Sequence, residues 1–394
     1  MALPKLNIDI PNIVLKRMAA IDHYVLTQGI NSYDPYDGLS SPLAKYVLFN
    51  NQLLFRIWQQ AVRLFPFNLR PILGIKKIAH TKAISDLASG FALLYLQGNN
   101  AEDRKKLLQY LGLLERLKLI TPNGYGWGLR FPFATRFITA DSGQPNIFQT
   151  INAVHSFLDG CQALEERELL ETALKGFSYL ENDLGYIEEK DAIRWRYWQG
   201  METPILNVNG LMIGLTARLW KITGRKKYLQ YCQKLYRFIS RHQNGDGSWY
   251  YAANEKGRFI DGFHTGYILE GLCRAIESGT VEKDETLDKG VRFYLSNFFT
   301  ADHLPKYYPD SVYPIDAQNA AQAIQTMVYL SRIKMVEPEA IQKCFASVDK
   351  ALWNSQGYFN YWKTRQWTYK TPMHRWATGP MFLALVYLKN EHSQ

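Results

Sequence analysis

The chain of 394 residues lacks any apolar run long enough to cross a bilayer, and its mean hydropathy is negative, which argues against an integral membrane protein. Its first residues, "MALPKLNIDIPNIVLKRMAAIDHY", lack the uninterrupted apolar core of an export signal, so a cytoplasmic protein is expected. Only four cysteines occur, Cys161, Cys232, Cys273 and Cys344, too far apart for a zinc or redox motif. Reduced, buried thiols are the expectation, with no metal and no cofactor. HExxH, P-loop and dinucleotide signatures are absent too.

What is present is positive charge and helical periodicity. The net charge of +10 suits an anionic partner such as an acidic glycan, a pyrophosphate-linked lipid or a membrane face. The basic residues are dispersed, which argues against a nucleic-acid surface. Amphipathic stretches fall at 11–28, 51–65, 81–97, 101–119, 147–165, 167–182, 209–223, 225–242, 262–278, 284–299, 317–334, 337–353 and 374–390. Gly, Pro, Asn or Asp bound many of them, as helix ends require. The fold class is all-α.

The order of pieces repeats. A helix with charged flanks ends in Gly plus an aromatic segment at Gly124, Gly185, Gly247 and Gly357, the first three roughly 60 residues apart. A hairpin-like aromatic stretch follows each, and then a polar residue opens a helix rich in small apolar residues. Such two-helix units close into a double ring, with apolar helices inside and charged ones facing solvent. An (α/α) toroid of about six to seven hairpins is expected, with short β-hairpins at its funnel face. It forms a single domain over 1–394, in which residues 1–120 supply N-terminal helices and 121–394 the regular repeats. Inner-helix N-termini would gather at one lip, where free N–H groups favour anions.

"YRFISRHQNGDGSW" (236–249) resembles the Gln-Trp repeat of squalene cyclases and prenyltransferase-type toroids, through Phe238, Ile239, Gln243, Gly247 and Trp249. The acidic DxDD-type motif of the cyclases is missing, so terpene cyclisation is not expected. "SYDPYDGLSSPL" (32–43), "FNLRPILGIKK" (67–77) and "DGFHTGY" (261–267) resemble a bacterial family associated with cell-surface polysaccharide biosynthesis, itself related to the six-hairpin glycosidase-like toroids. "LNVNGLMIGLTARLW" (206–220) is similar to a helix in the C-terminal toroid of glucuronyl C5-epimerases, and it contains Asn209. These resemblances imply a carbohydrate-active protein working on an acidic glycan or a lipid-linked saccharide.

Asp261, His264 and Tyr267 open one small-residue helix, with His264 and Tyr267 three apart on one face. An imidazole there can move a proton near neutral pH with a tyrosine as partner. The plainer reading makes Asp261 an N-cap and His264 a wall residue. His374 opens the last inner helix. Two histidines at one rim could work opposite faces of a sugar, the arrangement of N-acylglucosamine 2-epimerase-type toroids, or His374 could merely cap.

Arg130, Arg136, Arg194, Arg196, Arg258 and Arg375, interleaved with aromatics such as Trp198 and Trp376, offer bidentate donors and stacking faces for a carboxylate-bearing sugar. A strand with solvated arginines is the plainer reading of "RWRYW" (194–198). Rim carboxylates for glycoside hydrolysis would come from Asp34, Asp37, Glu202, Asp261 and Asp316, though no spacing singles out a pair. In "FNLRPILGIKK", Arg70, Lys76 and Lys77 beside apolar residues suit peripheral contact with an anionic membrane, or an ordinary loop.

The composite expectation is an enzyme modifying an acidic glycan, most concretely a uronate C5-epimerase. A hydrolase or lyase and a non-catalytic glycan-binding scaffold stand as alternatives.

Overall fold

A computed structural model describes residues 9–47 and 51–391. Its α-helices are α1 (Ile10–Gln28), α2 (Ala44–Val47), α3 (Gln52–Leu64), α4 (Thr81–Gly98), α5 (Ala101–Leu117), α6 (Ile147–Leu164) and α7 (Arg167–Ser178). They continue with α8 (Leu206–Thr223), α9 (Lys226–Arg241), α10 (Gly262–Glu277), α11 (Glu285–Asn297), α12 (Ala317–Arg332), α13 (Pro338–Leu352) and α14 (Gly379–Glu391). Every amphipathic stretch of the sequence becomes helix. Two differ in winding: Tyr179–Leu184 continues α7, and His374–Thr378 precedes α14, as π turns.

The helices α4, α6, α8, α10, α12 and α14 pack side by side in a closed inner ring, with α14 returning to α4. Around them α5, α7, α9, α11 and α13 each cover the inner helix before them. The sixth outer helix is α1, which packs on α14 and so joins the two ends of the chain. The toroid therefore has six hairpins. Outer helices are amphipathic: α9 buries Tyr228, Cys232, Leu235, Phe238 and Ile239 along one stripe and turns its lysines and arginines outward. Inner helices are buried on nearly all sides, as in α8 from Leu206 to Ala217. Close approach there depends on glycine, since a Cβ on Gly271 of α10 would collide with the Gly210 carbonyl of α8.

The repeated Gly and Trp residues are the joints of the ring. Indole Nε1 atoms of Trp127, Trp195 and Trp249 donate to the carbonyls of Leu114, Leu180 and Ile239, at or just beyond the ends of the preceding outer helices, at 2.8 to 3.0 Å. Carbonyls of a helix's last turn are short of intrahelical partners, and here the indoles supplement the backbone N–H groups of Gly185 and His242 that also reach Leu180 and Ile239. Gln243, the signature residue of the Gln-Trp segment, donates through its amide to the carbonyls of Gly247 and Thr286, tying one hairpin to the next outer helix. Gly124, Gly247 and Gly357 press on the backbones of α7, α11 and α1 in turn.

One expectation needs correcting. The inside of the ring is not simply apolar: Lys82–Asp86, Asp159–Arg218 and Glu270–Arg274 form ion pairs between inner-helix residues, with Gln322 donating to Glu270 at 2.8 Å. Charges buried there persist because each is paired.

Candidate functional site

Asn146, Asp261 and Asp316 cap α6, α10 and α12, each accepting from the third residue beyond it, Gln149, His264 and Asn319. These helix starts face a common cavity of about 500 Å³. Helix α3, outside both rings, forms another wall. Gln59 brackets Ala134 with two 3.1 Å hydrogen bonds, and Tyr361 and Tyr369 donate to the carbonyls of Arg63 and Leu64 at its end.

Asp261 does two things at once. Its Oδ1 caps the helix at the His264 amide (2.9 Å), and its Oδ2 holds His264 Nδ1 at 2.6 Å. With Nδ1 committed to a buried carboxylate, Nε2 is the nitrogen left for a ligand. Phe263 lies against the imidazole with ring centroids 3.8 Å apart and Tyr251 at 4.7 Å, so the ring is fixed in plane and position.

The other cavity residues repeat this pattern of a buried acid behind a wall group. Arg375 forks onto Asp34, with Nη2 donating at 2.7 Å. Burial alone would raise the Asp34 carboxyl, but the Arg375 guanidinium holds it below the usual carboxylate range. Asp86 sits behind Lys82, and burial pushes its carboxyl up to about 6 in spite of the lysine. Asp316 accepts from Trp376 Nε1 at 2.6 Å and is likewise pushed by burial to about 6.

The acids stand behind the wall, and the wall itself is cationic and phenolic. Among the described residues no Asp or Glu lines the cavity, whereas Arg56, Arg63, Lys82, Arg136 and Arg375 do. Among the described residues Arg56, Arg63 and Arg136 form no ion pair with a carboxylate, although Asp316 acts on Arg63 through space. Arg63 stacks over Tyr36 and Trp362, and its Nε is buried without a hydrogen-bond partner in the protein, as is Oδ1 of Asn207, which lines the cavity from the start of α8. Such polar atoms are expensive to bury unless water or a ligand meets them. Tyr36, Tyr197, Tyr251, Tyr267, Tyr307 and Tyr308 complete the lining. Burial holds the Tyr267 phenol protonated, well above its ordinary range, and its oxygen accepts from Gln318 at 2.8 Å.

The structure brings together His264, Asp261, Tyr267, Arg136, Arg375, Trp376 and, behind Trp376, Asp316. It separates the rest. His374 does not line this cavity: Nε2 meets the Gly29 carbonyl (3.1 Å) and Nδ1 the Thr378 hydroxyl (3.1 Å). A carbonyl only accepts, so Nε2 carries the proton, and burial lowers this histidine to about 4. The paired-histidine rim is thus corrected to one histidine. Arg194 pairs with Glu189 and donates to the Glu202 carbonyl, and Arg196 pairs with the Glu202 side chain, both away from the cavity. Arg130 is exposed outside it. Asn209 is consumed by the backbone of Trp195 and Ile205, and Trp198 is buried behind the wall. The expected rim carboxylates Asp34, Asp37 and Asp316 are buried, and Glu202 is bound to Arg196.

Sequence reading missed Arg56, Gln59 and Arg63, because α3 breaks the two-helix repeat and resembles an ordinary amphipathic helix. It missed Lys82 and Asn207 because they sit within otherwise apolar inner helices.

Searches with the sequence find no matching family model and no matching curated protein. Solved structures do match in shape. A D-mannose isomerase superposes with a TM-score of 0.66 at 11% identity, over 99% of this chain and 100% of that one. The cellobiose 2-epimerase of Bacillus thermoamylovorans B4167 gives 0.62 at 11%, over 80% and 88%. A polysaccharide lyase gives 0.57 at 10%, over 98% of both chains. The fold is the six-hairpin (α/α) toroid. At these identities the likeness extends to the fold and no further.

Proposed function

We propose that the protein is a carbohydrate-active enzyme that removes and returns the proton beside the carboxylate of a uronate residue in an acidic glycan, as a uronate C5-epimerase. The single observation that carries this reading is His264, locked by Asp261 through Nδ1, in a cavity walled by cations and tyrosines without a carboxylate.

In this reading His264 Nε2 takes the C5 proton. The electrons move into the carboxylate, whose growing charge is met by guanidinium groups already in place, Arg63 and Arg136 foremost, since neither is held in an ion pair. A proton then returns from the opposite side of the ring. Two phenols are available: Tyr267, held protonated, and Tyr36, which burial raises while Arg63 and Arg375 work against the rise. Return to the original face regenerates the substrate, and return to the other inverts C5. Loss of the C4 substituent instead would make the same site a lyase. Hydrolysis is less well served, because its two carboxylates would have to flank the bond, and here the acids lie behind the wall.

The test is deuterium incorporation at C5 when uronate-containing polysaccharides are incubated in D2O, followed by NMR. Incorporation that His264→Ala lowers by roughly 10² to 10⁴ supports the reading, the range expected for a proton-transfer group. Unsaturated ends would indicate elimination, and reducing ends without exchange would overturn proton transfer. Comparing Tyr36→Phe with Tyr267→Phe identifies the second group, since only its loss abolishes inversion while leaving exchange.

A further inference from the structure

Helix α3 presents the reverse of an outer helix to the outside. Where α9 turns lysines and arginines outward, α3 exposes Leu53, Ile57 and Leu64 and keeps Arg56 and Arg63 on the cavity side. The apolar surface continues past the helix end. Phe65 meets Phe67, and Phe67 meets Trp367 at the tip of the 362–369 hairpin, each pair with ring centroids 6.3 Å apart. Phe67 is 68% exposed, Trp367 51% and Ile72 82%. Single exposed apolar residues are ordinary, but a contiguous aromatic and aliphatic face is not.

The charge around this face has one sign. No Asp or Glu occurs between Asp37 and Asp86 or between Asp349 and Glu391, the two segments that build it. Lys76, Lys77, Arg365 and Lys370 are exposed there. Lys77 and Lys370 also line a second cavity, of about 610 Å³, together with Asn68 and Asn354. Asn68 follows Phe67 directly and Lys370 lies three residues beyond Trp367, so this polar, cationic hollow adjoins the aromatic cluster along the chain. Arg70 takes no part, because it is buried and paired with Asp37 at 2.7 Å.

We propose that this face seats on an anionic phospholipid membrane, with Phe67, Ile72 and Trp367 entering the interface and Lys77 and Lys370 meeting headgroup phosphates. Apolar insertion combined with basic attraction is the pairing that reversible interfacial binding requires. Because α3 is at once the docking face and a wall of the sugar cavity, docking would present that cavity at the membrane surface. The inference is independent of which reaction the cavity performs.

The test is cosedimentation of the full chain with phosphatidylcholine vesicles and with vesicles containing phosphatidylglycerol at about 30 mol%, whose negative surface potential attracts basic segments. Binding to the anionic vesicles, at least about tenfold tighter than to neutral ones and weakened by high salt, is expected. Phe67→Ser with Trp367→Ser should weaken it by about tenfold or more without changing the far-UV circular dichroism or thermal midpoint. Lys77→Glu and Lys370→Glu should each cost roughly fivefold. Equal binding to both vesicle types, or binding indifferent to the aromatic pair, would overturn the proposal. So would a dimer in light scattering that the aromatic substitutions dissociate while no vesicle binding occurs, since a second copy would then be the occupant.

Discussion

The starts of α10 and α14 occupy equivalent places in the ring, and each carries a histidine, yet they have opposite fates. At α10, His264 gives one nitrogen to Asp261 and keeps the other toward the cavity. At α14, a π turn over His374–Thr378 puts Arg375 and Trp376 on the cavity and His374 toward the seam, where both its nitrogens are spent. A histidine at the lip of a toroid is a proton carrier only if its second nitrogen is left without protein work. That is a property of the local winding, not of position in the repeat.

Substitution can break this contrast most directly in turnover. His264→Ala should lower solvent exchange at the sugar by roughly 10² to 10⁴, whereas His374→Gln should stay within about threefold of the parent, measured by NMR on the same glycan. Equal losses would mean that both histidines reach the substrate.

The next largest effect is on stability at the start of α14. Arg375→Met leaves Asp34 buried without its cation and should cost about 3 to 5 kcal/mol in urea unfolding. Arg196→Met, whose partner Glu202 is largely exposed, should cost under about 1 kcal/mol.

A third measurement uses pH. An unfolded histidine takes a proton near its ordinary value of 6.5, while folded His374 resists until about 4. Stability is therefore unaffected above about 6.5 and is lost as pH falls from there toward 4, by up to about 3 kcal/mol for this group. Asp37, Asp86 and Asp316, raised to about 6, act in the opposite sense over much the same interval in both proteins. The difference between parent and His374→Gln in urea midpoints at pH 7.5 and 4.5 isolates the histidine, and the variant should lose less.

The smallest expected effect is on binding. Arg63→Met or Arg136→Met should weaken an acidic oligosaccharide by about tenfold in calorimetry, and Arg194→Met or Arg130→Met by less than twofold.

The helices were legible because their cause is local. The stripe Tyr228, Cys232, Leu235, Ile239 declares a buried face wherever the helix packs, and Asp261 or Asp316 before an apolar run declares a start. The joints were legible as well, since Gly247 and Trp249 recur at a fixed place in the repeat. Asp261 and His264 could be marked because three residues separate them along the chain. The cavity side of Arg63 could not, nor could the burial of the expected rim carboxylates, because each depends on a partner distant in sequence: Arg63 on Trp362, Asp34 on Arg375, Asp316 on Trp376.

By itself the sequence determined the helical periods, the caps, the repeat and the excess of positive charge, all of which follow from neighbours a few residues apart. Only the closed ring decided which charges face the cavity and which are spent on one another. Closure brings α1 to α14 and α14 to α4, and it delivers Asp34 to Arg375 and Asp159 to Arg218 from far along the chain, whereas Lys82–Asp86 and Glu270–Arg274 are set within one helix turn.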